Sequence, residues 1–345
     1  MMSWAVAWSA KVTAPAASIV AGRGWVVVGH GRRMTCFSDD GEHLWTRDLL
    51  FTPHQLVHDG HRLGVLAAHG FTVHTLEDGE PLHEGRSVPR GFSSLAARPG
   101  GGWLASGREG GLHLFSNEGR GRQRIEIEAP RAVRGWIDRD HAVVHAQGGH
   151  LQVVGLGGSE DVRPLGEERW TWSSPLARDG MLLRAADGTL HLGVPGGSGW
   201  DRLDRIDGDL LEPVAGLRTE HGWCVLELDG RVRALLEEGA FQGSEGGLDP
   251  IALVTSDGAE TVHGVTREGL IRCWYGGERE RVEREARRAL VIEDAKQQDW
   301  ALRRRRFEAA VEAEEQGDWE AAAQHYEALG RMDDVKRVRR AGGGD

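Results

Sequence analysis

The chain has 345 residues, among them 50 glycines and 13 tryptophans, and a formal charge of −11. That length fits one large repetitive fold or two domains, and the acid excess argues against a general nucleic-acid binder, which carries a basic surface. Hydrophobic residues still make up 39%, so the glycines serve many turns around a buried core rather than a collagen-like chain.

The stretch from Met1 to Gly22 has no basic leading segment, and its apolar run is broken by Ser9, Lys11 and Pro15. It does not read as a secretory signal. No stretch reaches the roughly 18 apolar residues of a membrane span, so no membrane insertion is expected and a cytoplasmic location follows by default. Cys36, Cys224 and Cys273 are odd in number and widely spaced. They fit reduced thiols and give neither a disulfide framework nor a zinc site.

From residue 25 onward a repeat takes over. Short strands that follow a polar-Gly turn begin at Met34, Val73, Leu112, Leu151, Leu190, Val232 and Ile271, spaced 39, 39, 39, 39, 42 and 39 residues apart. Nine residues before each anchor an apolar strand begins, at Trp25, Gly64, Trp103, Ala142, Met181, Trp223 and Val262. Between the two lie Gly-rich turns such as Asp187-Gly188 and His69-Gly70, which supply the positive φ of tight hairpins. Units of about 40 residues with several short strands are the signature of propeller blades. Four strands per unit are expected, the first in segments such as Ser94 to Ala97 and the last in segments such as His43 to Thr46. The seventh unit lacks its fourth strand. Ala5-Val6-Ala7-Trp8-Ser9 is similar to His43-Leu44-Trp45-Thr46 and is expected to fill that place, closing a seven-bladed ring over residues 1–277 with no unpaired edge between first and last blades.

The repeat resembles the WD-repeat and quinoprotein-type repeat families across roughly residues 1–277. Asp187-Gly188-Thr189-Leu190-His191-Leu192 resembles the DGTLRLW segment of WD repeats, and Cys36 to Trp45 resembles the quinoprotein segment with its spaced Asp, Gly and Trp. No unit carries the paired Gly-His and Trp-Asp signature, so the resemblance implies the fold and says little about a ligand.

Near Glu278 the composition turns to charged helix formers, and residues 278–345 are expected to form an α-helical tail. Helices are predicted from Glu278 to Gln298, Trp300 to Gln316, Trp319 to Leu329 and Asp333 to Arg340, with Gly317 and Gly330 as punctuation. Gly317-Asp318-Trp319 through Tyr326 resembles one tetratricopeptide-type hairpin, with Ala322 and Tyr326 in its small and aromatic packing positions. A solenoid of this kind needs about three repeats to bury a core, so the tail is expected to pack on the propeller, dimerise or dock on a partner.

The search for chemistry finds no phosphate-binding loop, no GxSxG elbow and no HExxH helix. His74, His113 and His191 recur at one repeat position; on different blades they face solvent or the neighbouring sheet and do not converge as zinc ligands must. Asp59, Asp138, Asp179 and Glu220 sit in first-to-second-strand turns, where acids are common. Trp25, Trp103 and Trp223 share a repeat position and read as inter-blade packing. Arg169, Trp170 and Trp172 fall in the connection from the fourth to the fifth unit. Two readings are open there: a loop folded over the blade edge, or a partner-binding patch, since Trp and Arg dominate binding hot spots. Arg303 to Arg306 read as the solvated face of a helix.

The expectation is therefore an all-β, seven-bladed propeller with a short helical extension, acting as a non-enzymatic scaffold that holds other proteins through its loops and tail, without cofactor, metal or nucleic acid. The partner-binding candidates are Arg169, Trp170, Trp172, Trp300, Phe307, Trp319 and Tyr326. Divergent Gly-, Arg- and Trp-rich propellers resemble the propeller members of bacterial ternary systems built with a MoxR-type AAA+ ATPase and a von Willebrand A-domain protein. The alternatives are a metal-dependent hydrolase or lactonase-like propeller, and a small-ligand sensor at the channel mouth near Trp170 and Trp172.

Overall fold

The computed structural model describes residues 6–87, 91–157, 161–176, 180–206, 213–219, 222–227, 232–235, 241–245, 250–255, 261–275 and 278–343. The chain divides into two compact units, Met1–Glu278 and Arg279–Asp345.

Among the described residues of the first unit, the strands form seven four-stranded antiparallel sheets. The first comprises β2 (Ala16–Gly22), β3 (Trp25–His30), β4 (Arg33–Ser38) and β5 (His43–Asp48), hydrogen-bonded in that order. The second is β6 (Gln55–His58), β7 (Arg62–Ala67), β8 (Gly70–Thr75) and β9 (Pro81–Ser87). The third is β10 (Phe92–Ala97), β11 (Trp103–Gly107), β12 (Leu112–Phe115) and β13 (Gly121–Ile125), and the fourth is β14 (Pro130–Trp136), β15 (His141–Ala146), β16 (Leu151–Gly155) and β17 (Val162–Pro164). The fifth runs β18 (Trp170–Pro175), β19 (Met181–Ala185), β20 (Leu190–Pro195), β21 (Trp200–Ile206), and the sixth β22 (Pro213–Thr219), β23 (Gly222–Glu227), β24 (Val232–Leu235), β25 (Phe241–Glu245). In the last sheet β26 (Pro250–Thr255), β27 (Thr261–Thr266) and β28 (Leu270–Tyr275) are joined by β1 (Val6–Lys11), which pairs with β28. All seven repeat anchors lie on the third strand of their sheets.

The core is a succession of apolar layers, each between one sheet and the next. Val20, Val27 and Met34 of the first sheet meet Leu56, Leu63 and Val65 of the second. Leu66, Phe71 and Val73 of the second meet Trp103 and Phe115 of the third. Val26, Val28 and Phe37 of the first sheet meet Val265 and Ile271 of the last. Each fully buried side chain of this size contributes roughly 1.5–3 kcal/mol. First strands are sheet edges, whose free N–H groups need partners. Side chains of the preceding sheet supply them: Ser18 Oγ accepts from Leu56 N–H at 2.8 Å, Gln55 Oε1 from Leu95 N–H at 3.0 Å, Ser94 Oγ from Val133 N–H at 3.1 Å and Ser174 Oγ from Gly216 N–H at 3.0 Å.

In the second unit α1 (Glu278–Glu315), α2 (Trp319–Ala328) and α3 (Met332–Ala341) follow one another. The break predicted between Gln298 and Trp300 does not occur. No Gly or Pro interrupts that segment, and Asp299 pairs with Arg303 one turn on, at 2.9 Å. Asp318 caps α2 by accepting from Ala321 N–H at 3.1 Å, and α3 opens with Asp333 and Asp334 and closes with Arg339 and Arg340, charges that complement the helix dipole. Ala310, Ala322, Ala323, Tyr326, Val335 and Val338 form the unit's core. No helix among the described residues is long and apolar enough to cross a membrane.

Candidate functional site

The structure moves Trp170 and Trp172 out of the loop where the sequence reading put them. Both belong to β18, the first strand of the fifth sheet, and Trp170 is 3% exposed. Its ring meets His191 and Trp200 edge-on, with centroids 5.2 and 6.2 Å away. Trp172 is half-buried against the core of its sheet. Neither tryptophan presents an open hot-spot face; Arg169 beside them is exposed. The repeat itself carried this signal, because Trp172 lies 78 residues, two periods of 39, after Ser94 on β10. Tyr326, also 3% exposed, is a core residue of the tail rather than a contact surface.

The repeated histidines are packing residues. His74 is buried, donating from Nδ1 to the Gly79 carbonyl at 3.0 Å and accepting at Nε2 from the Thr72 hydroxyl at 2.8 Å. His113 and His191 lie edge-on to Phe92 and Trp170, and burial lowers all three pKa values. Asp59 Oδ1 accepts from the N–H groups of His61 and Arg62, and Asp138 Oδ1 from that of Asp140, so both acids serve turns. Asp179, Glu220 and the Trp223 side chain lie outside the described residues. Trp103 is fully buried, as a packing residue should be. Among the described residues, no group of three or more His, Cys, Asp or Glu is placed to hold a metal ion.

The first strand of the fourth sheet has a feature the sequence reading missed. Six of the seven first strands shift register once at their start, and β14 shifts a second time, between Val133 and Gly135. The extra residue is Arg134. Its Nε is buried without a hydrogen-bond partner, and burial lowers its pKa. Nearby, His145 Nε2 donates to the Trp170 carbonyl at 3.1 Å while Nδ1 accepts from Ser173 Oγ at 3.0 Å. Burial, with Arg134 beside it, brings the His145 pKa down to about 4.

In the tail, Glu314 takes Arg337 in a two-pronged pair, both distances 2.7 Å. That pairing holds the Glu314 carboxyl down to about 2. Phe307 meets Tyr326 edge-on at 6.1 Å and lies under Arg331 at 4.9 Å. Trp319 is half-buried against the core. Trp300, by contrast, is 65% exposed, with Leu302, Phe307 and Val311 also exposed on the same helix and the Arg304 guanidinium 6.0 Å from its ring centroid.

A cavity of about 540 Å³ opens between the first and second sheets. Val65 and Ala67 form its buried floor, and Leu49, Leu50 and Phe51, in the connection from β5 to β6, form its lip. Leu49 is pinned by its N–H to the Arg32 carbonyl at 2.8 Å and sinks into the core. Leu50 and Phe51 are thereby left 65% and 52% exposed. His69, Thr72 and His74 supply polar atoms, and Arg47, Asp48 and Glu80 stand at the rim; His83 lies opposite Val73 with its ring beside Gly119 of the third sheet. The volume and the mostly apolar lining match those of small-molecule pockets.

No protein-family model and no curated protein matches the chain. Among solved structures it is similar to BBS1N, a β-propeller protein crystallised in complex with ARL6DN and soaked with mercury. The TM-score is 0.60 at 15% identity, over 80% of this chain and 98% of that one. At that identity the likeness shows a β-propeller fold and nothing about ligands.

Proposed function

We propose that the chain is a non-enzymatic protein–protein interaction scaffold in a multiprotein complex. In this reading the sheets are the blades of a seven-bladed ring that β1 closes, and the tail is a tetratricopeptide-like hairpin that recruits a partner. The observation that carries it is the apolar and aromatic stripe of α1, where Trp300, Phe307 and Val311, spaced seven and four residues apart and so on one helix face, stand exposed beside Arg303 to Arg306. Trp and Arg are the residue types that anchor interfaces, and exposed apolar clusters mark interaction sites. The similar propeller BBS1N is itself solved with a protein partner. A cytoplasmic bacterial setting beside a MoxR-type ATPase is the finer form of the proposal and rests on the resemblance alone.

The test is affinity purification of the tagged full-length protein and of its Trp300→Asp and Val311→Asp variants, followed by mass spectrometry. Stoichiometric partners that depend on these residues support recruitment through α1. Partners that survive both substitutions move the site to the loops of the first unit. A wild-type protein that brings down nothing removes the scaffold reading.

A further inference from the structure

The two bulges of β14 each hold an arginine, and nothing nearby balances either charge. Where the first strands shift register at their start, the skipped residues are Ala17, Ser93, Arg131, Thr171, Val214 and Ile251. Only the fourth sheet places a charge at that level. Ala17, Ser93, Arg131 and Thr171 are all exposed, on strands that form the free edges of their sheets. Arg134 follows at the second bulge, three residues on. β14 lies between β10 and β18, and the Ser93 hydroxyl on β10 donates to the Arg131 carbonyl at 2.8 Å.

The chain has 53 Asp and Glu against 42 Lys and Arg, yet neither arginine side chain makes a hydrogen bond or ion pair among the described residues. Arg134 is half-buried: its Nε is enclosed, and the two Nη groups at its tip are left open. Burial lowers its pKa with no carboxylate acting against it. His145, opposite Ala132, is lowered by burial and by both arginines, again with no carboxylate opposing them. Its ring offers no free donor, since Nε2 is spent on the Trp170 carbonyl and Nδ1 on the Ser173 hydroxyl. A buried polar group without a partner calls for a water or an ion. Water would satisfy the N–H groups and leave the charge, whereas an anion satisfies both. The tip of a guanidinium presents two parallel N–H groups that match two oxygens of a carboxylate or phosphate.

We infer that the Nη groups of Arg134 bind a small oxyanion, a carboxylate or a phosphoryl group, at the free edge of β14, with Arg131 keeping the local potential positive. The anion accepts one hydrogen bond from each Nη and neutralises a cation that no residue of the chain pairs.

The test uses the full-length protein with isotope-labelled histidine. The His145 ring is followed by NMR while sodium phosphate or sodium acetate replaces sodium chloride at constant ionic strength. A saturable shift of the ring signal is expected, phosphate alone assigning a phosphoryl group, acetate alone a carboxylate, and both an oxyanion of either kind. Arg134→Met is expected to abolish it. Arg134→Lys, which keeps the charge and loses the paired N–H groups, is expected to weaken binding about tenfold. Arg122→Gln, exposed on β13, is expected to leave it unchanged, with all three variants matching wild type in circular dichroism. Absence of a saturable shift with either ion, or equal binding by wild type and Arg134→Met, overturns the site. Equal binding by Arg134→Lys overturns the two-pronged grip. None of these readouts depends on a captured protein partner, so the scaffold reading stands or falls separately.

Discussion

The indole N–H of Trp45 donates to the carbonyl of Leu76, 3.2 Å away and 31 residues on. It reaches from the outer strand of the first sheet to the hairpin between the third and fourth strands of the second. Trp8, on β1, makes the corresponding bond to the Asp39 carbonyl at 2.8 Å, again across 31 residues. Each ring lies on a glycine of the accepting hairpin, Gly79 under Trp45 and Gly41 under Trp8. A Cβ there would come within 2.8 Å of the ring, at φ values of +74° and +84°. β1 is therefore used as an outer strand in the same way as β5.

Trp45→Ala is expected to cost about 3 kcal/mol, as loss of a buried aromatic does, and Trp45→Phe about 1 kcal/mol for the lost hydrogen bond. Gly79→Ala is expected to destabilise as well, since it adds both a clash and left-handed strain. Urea unfolding followed by tryptophan fluorescence separates the three; equal midpoints for Trp45→Ala and wild type would show that the stitch carries no stability.

Acid is expected to destabilise the first unit through His145. Its folded pKa of about 4 lies below the ordinary 6.5, so the unfolded chain takes up the proton first. Stability is complete above pH 6.5 and falls as the pH drops toward 4, by about 3 kcal/mol at most. His30, His74, His113 and His191 are lowered too and act in the same direction. Urea midpoints measured between neutral and acid pH should fall less steeply in His145→Gln than in wild type.

Arg134→Met is expected to raise stability by about 1 kcal/mol. It replaces a cation whose Nε is buried without a partner by an apolar chain of similar length. The same change removes a charge that lowers the His145 pKa, so His145 should titrate higher. An NMR titration of the His145 ring checks the second effect independently of the first.

In the tail, Tyr326→Ala is expected to loosen the packing of α1, α2 and α3 by about 3 kcal/mol, whereas Trp300→Ala should leave the melting temperature unchanged. Glu314 contributes stability above its ordinary pKa of 4.5 and loses it as the pH falls toward 2. Glu314→Gln should flatten that acid limb, read by the helical signal in circular dichroism.

The period of 39 residues was legible because strand, turn and strand recur with buried anchors. Met34, Val73, Leu112, Leu151, Leu190 and Ile271 are all core side chains. What escaped the sequence reading breaks the period or hides inside it. Arg134 is a one-residue insertion offset before the next anchor, so the spacing from Leu112 to Leu151 conceals it. The cavity arises where Leu49, Leu50 and Phe51 form an apolar run in a connection; the run was visible, but which of the three faces inward depends on the Arg32 carbonyl that pins Leu49. Trp170 was misplaced because its neighbours are charged, although the period put it on a strand.

The pairing of β1 with β28 sets Trp8 opposite Cys273, 265 residues later in the order of synthesis (273 − 8). At about 5–20 residues per second, a ribosome takes roughly 15–50 s to make that stretch. Throughout that interval β1 has no strand to pair with, and its backbone edge stands open to whatever else is in reach. Completion of the last sheet is thus a late event on the ribosome, one that a bulky fusion next to Val6 would hinder while leaving the earlier sheets free to form.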